Sequence, residues 1–257
     1  MLAAAVAART AEIVQALAAL DDEDLVGPSR LEGWSRLTIA CHLRYGARTL
    51  SRMTEDVIAG RRTSYYPAGR EHQRPATLTP DRGETPGEVV HSLAENGQLL
   101  DARWASLATE HWALPFREPD GNPDLGALPL VDLALLRLTE VEVHGSDLDV
   151  GLGRWSDLFV KEALPFRLDR LNARRAGDQI EGSWLLVASG GPTYLVRVED
   201  TVVVSRPASP ATPASAVITA SSRDILALLL GRPATGAVHI NGDVTLGRAF
   251  GAILPGP

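Results

Sequence analysis

The apolar residues of this chain change their period at Gly151-Leu152-Gly153. Before that point they recur every three or four residues, the spacing of one helix face; after it come short β-branched runs. A chain with such a break must build two cores of different kinds, helix packed on helix and then helices packed on a sheet. The expected fold class is therefore α followed by α+β: a four-helix bundle over residues 1–153 and a small α+β domain over 154–257. At 257 residues the chain is long enough for both cores.

In the first half, Val6, Ile13, Leu17 and Leu20 mark a helix from Leu2 to Ala19. Ser35 is a good N-cap for a second helix running to Ala59 and closed by Gly60. Its inner side, Leu37, Ile39, Ala40, Leu43, Ala47, Leu50 and Met53, includes or borders His42. Thr85-Pro86-Gly87-Glu88 predicts a third helix start, with Thr as cap, Pro at the first position and Glu three residues on; that helix is expected to reach Thr109. A fourth spans Leu128 to Val150. Residues 61–83 show no period and read as a long loop, and loops longer than about 15 residues tend to be functional or mobile; Pro115 to Gly126 is a second irregular stretch.

In the second half, Trp155 to Arg175 reads as a helix interrupted at Pro165. Strands are expected at Trp184–Val187, Tyr194–Val198, Thr201–Val204 and Ala216–Thr219, with a tight hairpin at Glu199-Asp200. A helix capped by Ser221 or Ser222 runs through Leu230 to Gly231. A strand at Ala237–Ile240 and a helix from Asp243 to Ile253 follow, making a mainly antiparallel sheet.

Composition removes several function classes. A net charge of −7 argues against nucleic acid or an anionic membrane as partner. No apolar run approaches the roughly 18 residues of a membrane span. Met1 to Leu20 carries Arg9 and Glu12 and runs into Asp21-Asp22-Glu23-Asp24, so it reads as an amphipathic helix and not as a signal peptide. A single cysteine, Cys41, rules out an internal disulfide and fits a reducing cytoplasm. Of 25 basic residues only Lys161 is a lysine, a bias expected of a GC-rich genome such as an actinobacterium's.

The chemistry concentrates in the fourth helix. Glu140 and His144, four apart, share a face; Asp147 lies close to it and Glu142 points roughly opposite. A carboxylate and an imidazole presented together form half of a metal site, which one histidine from a neighbouring helix would complete. His42 is the candidate. An exposed ion pair for Glu140 and His144, and a core histidine with a backbone partner for His42, are the plainer alternatives. Cys41 is offset about 100° from His42 on its helix and reads as packing. His91 and Glu95 read as a surface pair, and His72, His111 and His239 as outside any site. No phosphate-binding glycine loop, Cys-x-x-Cys pair, nucleophile elbow or dinucleotide fingerprint occurs.

Gly33-Trp34-Ser35, Cys41-His42-Leu43, Glu140-Val141-Glu142-Val143-His144 and Asp147-Leu148-Asp149 together resemble the mycothiol-dependent maleylpyruvate isomerase family. Asp224, Leu230-Gly231-Arg232 and Ile240-Asn241-Gly242-Asp243 resemble its second domain. The resemblance implies a DinB-like four-helix bundle followed by a small domain similar to sterol-carrier folds. It implies a divalent metal, with zinc the expected ion, held by His42, Glu140 and His144, and mycothiol as thiol cofactor. A metal-bound thiol is deprotonated, and the thiolate is the nucleophile. In the isomerase it would add to a cis double bond, allow rotation and leave, giving the trans isomer. Relatives transfer mycothiol to other electrophiles. Arg232 matches an arginine that in the family reaches the active site, where it could clamp an oxyanion of substrate or cofactor; a cation favoured by the helix C-terminus is the alternative.

The expected protein is thus a cytoplasmic isomerase or S-transferase acting on a small electrophile, a monomer or small homo-oligomer, with neither nucleic acid nor membrane as partner. A metal-dependent hydrolase activating water and a non-catalytic ligand-binding module are the rival readings. If Tyr65, Tyr66, Arg70 and Arg74 line the pocket, the substrate is larger than maleylpyruvate.

Overall fold

Long amphipathic helices form where the apolar period and the caps predict them. The structure is a computed structural model and describes residues 1–117, 127–173 and 180–253. The chain divides into two units, Met1–Phe159 and Val160–Pro257. The first holds α1 (Leu2–Ala18), α2 (Asp22–Val26), α3 (Arg36–Ile58), α4 (Arg70–Gln73), α5 (Pro86–Ala105) and α6 (Leu130–Asp147). Ser35 accepts the Thr38 N–H at 3.0 Å and so opens α3. At α5 the capping box is complete: Thr85 accepts from the Glu88 N–H, and the Glu88 carboxylate accepts from the Thr85 N–H at 2.8 Å. The four long helices α1, α3, α5 and α6 form the bundle, α5 and α6 each packing on both α1 and α3. α6 is buried nearly all round, including Arg137, Glu142, His144 and Asp147.

Short elements were not visible as a period. Asp21 caps α2 by accepting the Asp24 N–H, yet five residues are too few to display a stripe. The 61–83 stretch contains α4 and a 3-10 turn, Arg74–Leu78, and is therefore less irregular than expected. α5 ends at Ala105, short of Thr109, where a separate 3-10 turn (Thr109–Ala113) begins. The expected loop from Pro115 to Gly126 opens instead with a strand: β1 (Pro115–Arg117) pairs antiparallel with β2 (Ala127–Pro129). Its residues 118–126 lie outside the described residues.

The second unit has the expected α+β character. α7 (Asp157–Arg170) crosses the division between the units. It continues through Pro165 without a break, and residues 174–175 of the predicted helix lie outside the described residues. The carbonyl that proline leaves without its N–H partner belongs to Lys161, an exposed residue, where water can replace the bond. Five strands follow, β3 (Gly182–Ser189), β4 (Thr193–Glu199), β5 (Val202–Pro207), β6 (Ala216–Ser221) and β7 (His239–Gly242), with α8 (Ser222–Leu229) and α9 (Val244–Ile253). The sheet order is β5-β4-β3-β6-β7, antiparallel throughout except between β3 and β6. The hairpin turn is Asp200-Thr201, one residue later than predicted, both at positive φ as a type I′ turn requires. Among the described residues no helix is long and apolar enough to cross a membrane.

Asp224 organises one end of this unit. Its carboxylate accepts the N–H groups of Thr235 and Gly236 at 2.8 and 3.0 Å and the Ser221 hydroxyl, while Ser221 caps α8 by accepting the Asp224 N–H. Burial alone would raise this carboxyl, but the hydrogen bonds from Ser221, Gly236 and Thr235 outweigh it and hold it below the usual aspartate value. A carboxyl lowered in the folded state contributes in full above its unfolded pKa, about 3.9, and loses that contribution as pH falls through the folded value. Asp224→Asn should therefore lower the urea stability of the second unit at neutral pH by about 1–3 kcal/mol. The gap from wild type should close at acidic pH, and a gap independent of pH would refute the assignment.

Candidate metal centre

α3 and α6 cross so that His42 Nε2 lies 2.7 Å from Glu140 Oε2. His144, one turn further along α6, places its Nε2 3.5 Å from the same oxygen. One ligand atom from each of His42, Glu140 and His144 lies within 4.8 Å of the other two. The imidazoles meet edge to face with centroids 4.9 Å apart, and Glu140 keeps 35% of its side-chain surface exposed while both rings are largely buried. The structure thus brings together the three residues that the sequence nominated.

The surrounding shell orients them. His144 Nδ1 donates to Asp147 Oδ2 at 3.0 Å, which turns Nε2 toward Glu140. A carboxylate behind an imidazole in this way fixes the tautomer of a metal-binding histidine. Trp34 stacks on His144 (centroids 5.8 Å, planes 10° apart) and stands edge-on to His42 at 5.5 Å. Its loop is tied to the end of α6: the Arg30 N–H donates to Asp147 O at 2.8 Å, and Arg36 Nε donates to Leu148 O at 3.0 Å. Arg74 lies over the Trp34 ring, 5.6 Å from its centroid. Sequence reasoning gave Trp34 no task, although it stands in the motif Gly33-Trp34-Ser35.

Charge in this cluster is strongly coupled. Burial would raise the Glu140 carboxyl, but hydrogen bonds from His144 and His42 hold it well below its ordinary value. Burial works against a proton on His144; Asp147 and Glu140 overcome it and push the imidazole up to about 9. For His42 burial wins over Glu140 and the value falls. Its Nδ1 is a buried nitrogen without a hydrogen-bond partner. Two imidazole Nε2 atoms and one carboxylate oxygen make the donor set of a three-ligand zinc site that keeps a position for a further ligand. The residues present fit such an ion.

The remaining candidates separate cleanly. Glu142 points away from the cluster, its Oε2 3.4 Å from Arg9 Nε of α1 and its Oε1 accepting the Ser156 N–H. Cys41 is buried, and burial, only partly offset by Arg44, pushes its thiol up to about 11, so it stays protonated and unreactive at neutral pH. His91 and Glu95 form an exposed pair. His111 Nδ1 accepts the Ala108 N–H, and His72 and His239 are exposed. Tyr65 and Tyr66 pack with Tyr45 as a three-ring cluster. Arg232 belongs to the second unit, as the second residue past the cap of α8. Its N–H reaches Ala227 O at 2.9 Å and the Gly231 N–H reaches Leu228 O, closing the helix with Gly231 at φ +64°.

A histidine–carboxylate cluster inside a four-helix bundle, joined to a small α+β unit, defines a two-unit protein with a candidate metal centre between facing helices. Residues 6–149 match the family described as the mycothiol maleylpyruvate isomerase N-terminal domain, and the chain belongs to that family. It is also similar to a solved structure described as the crystal structure of the mycothiol-dependent maleylpyruvate isomerase. That match has 20% identity and a TM-score of 0.71, and covers 95% of this chain and 93% of that one. A histidine-to-alanine mutant of the same isomerase matches at 19% identity and the same TM-score and coverage. At such identities the likeness establishes the fold. No curated protein matches the sequence.

If Asp147 orients His144 toward an ion, Asp147→Ala should weaken zinc binding about 10–100-fold with all three ligands retained, measured by competition with a chromophoric chelator. Unchanged affinity would show that the His144 ring needs no such support.

Proposed function

We propose that this protein is a metal-dependent enzyme that uses mycothiol as nucleophile on a small electrophilic molecule, as an isomerase of the maleylpyruvate type or a mycothiol S-transferase. The observation that carries this reading is the convergence of His42, Glu140 and His144 on one point of the bundle. Membership of the family supports the choice of thiol. A divalent ion, with zinc the expected one, supplies the positive charge that ionises an incoming thiol near neutral pH, where a free thiol is mostly protonated.

The protein's own groups do the rest. His42 and His144 would offer Nε2, and Glu140 an oxygen, leaving the exposed side of Glu140 as the approach for a ligand. Asp147 holds the His144 ring in its working tautomer. Trp34 covers both imidazoles and keeps water from that side of the centre. For Arg232 the proposal is that its guanidinium clamps an oxyanion of substrate or cofactor, a role supported by the motif Leu230-Gly231-Arg232. A cytoplasmic location goes with this reading, the lone Cys41 being unpaired and buried.

The deciding experiment pairs metal analysis with a thiol-dependence assay. Purified protein should contain about one equivalent of metal, lost in His42→Ala. Turnover of a panel of electrophiles should need mycothiol and stop with chelator, and Glu140→Gln and His144→Ala should each abolish it while the helical circular dichroism stays native. Turnover without any thiol would favour hydrolysis by activated water. Activity surviving in both α6 variants would end the ligand assignment.

A further inference from the structure

Arg137, Glu140 and His144 stand at i, i+3 and i+7 and so share one stripe of α6. On α3 the matching pair is His42 and Gly46, one turn apart. A methyl group on Gly46 would stand 2.7 Å from Arg137 Nη1, so the guanidinium lies directly against the backbone of α3, and the glycine is what admits it. Counted along either helix, it is one turn from a residue of the candidate metal centre. Arg137 is 2% exposed, and its Nη2 donates to the carbonyl of Leu43, the neighbour of His42, at 2.9 Å. Packed in this way, the guanidinium has no room to receive a ligand. What reaches the centre is its charge.

No carboxylate neutralises that charge by contact. Among the described residues none lies within ion-pair distance of Arg137, and its Nε is buried without a hydrogen-bond partner. Glu140 and Asp101 feel the guanidinium without touching it; Glu140 is bonded to His42, and the half-buried Asp101 is screened by water. A guanidinium keeps its proton even when buried. One hydrogen bond to a helix carbonyl does not call for such a group, because a neutral amide makes that bond without the cost of burying a charge. The charge balance of the centre gives the cation a purpose. Two carboxylates stand there, Glu140 at the His42 and His144 nitrogens and Asp147 behind His144. Their two negative charges cancel those of a divalent ion, and a neutral centre has no net pull on an anion. Arg137 adds the charge that leaves it positive.

We propose that Arg137 is a positioning residue that acts on the candidate metal centre through its charge, and that it makes the centre select anionic over neutral ligands. This rests on the proposed function and deepens it: the ligand favoured at the exposed side of Glu140 is an anion, such as an ionised thiol. The guanidinium itself stays out of contact with that ligand.

The test uses the full chain loaded with cobalt(II), whose visible absorption changes when a ligand joins the ion. Two probes are titrated at a mildly alkaline pH: thiocyanate, an anion, and imidazole, which is neutral there. Arg137→Gln removes the charge and keeps a donor for the Leu43 carbonyl; Arg137→Met is a second neutral variant should the first not fold. Loss of the charge should weaken thiocyanate about tenfold or more, the order expected of a unit charge one helical turn away in a partly screened interior, while imidazole affinity changes less than about twofold. Thiocyanate affinity equal to wild type in the neutral variant would overturn the proposal. So would an equal loss for both probes, because a distorted centre weakens every ligand alike. Either result leaves the metal centre standing and removes only the role of Arg137. A wild-type chain that takes up no cobalt would sink the proposed function and this inference together.

Discussion

Ionisable side chains inside the bundle need partners, and α6 carries four of them, Arg137, Glu142, His144 and Asp147, at buried positions. The unit is arranged to supply those partners. Glu142 meets Arg9 of α1, Asp147 meets His144, and Arg137 reaches the Leu43 carbonyl of α3. Because hydrogen bonds and ion pairs are directional where apolar contacts are not, these groups set how α6 is rotated and how far it slides against α1 and α3. The positions of Glu140 and His144 opposite His42 are consequences of that setting.

Two helical glycines serve the arrangement. Gly145 on α6 lets Arg9 approach, with a methyl group there 3.1 Å from its Nε, and Gly46 on α3 does the same for Arg137. Glycine inside a helix costs about 1 kcal/mol relative to alanine, so its presence at both points has a steric reason. The loop before α3 adds a second constraint from the same end of α6. Through Arg30 and Arg36 it is fastened to the carbonyls of Asp147 and Leu148, and so Trp34 arrives against the imidazoles with its orientation set.

The long helices and the His42–Glu140–His144 cluster were legible because both are patterns of spacing. A period of 3.6 places residues four apart on one face, and α3 and α6 are long enough to show it. What escaped had no periodic signature. α2, α4 and the 3-10 turns are too short, and the pairing of Pro115–Arg117 with Ala127–Pro129 is a long-range contact between three-residue segments. The buried Arg137 escaped for a different reason: it belongs to none of the motifs above, and its place three residues before Glu140 and seven before His144 was the available signal. Pro165 misled in the opposite direction: α7 continues through it, and the bond proline removes falls at Lys161, a residue on the exposed side of the helix.

The geometry also bears on where a nucleophile can come from. The sequence offers one thiol, Cys41, adjacent to His42 in the chain and thus the obvious internal candidate. Helical geometry turns it about 100° away from the ligand face, and the structure buries it and raises its pKa to about 11. At neutral pH that thiol stays protonated. A centre built from two imidazoles and one carboxylate would supply charge and a place to bind, and in the proposed function those three groups are the ones that would hold an ion. On that proposal the sulfur would come from a bound cofactor, and Trp34, stacked on His144 and edge-on to His42, would shield the side of the centre it covers.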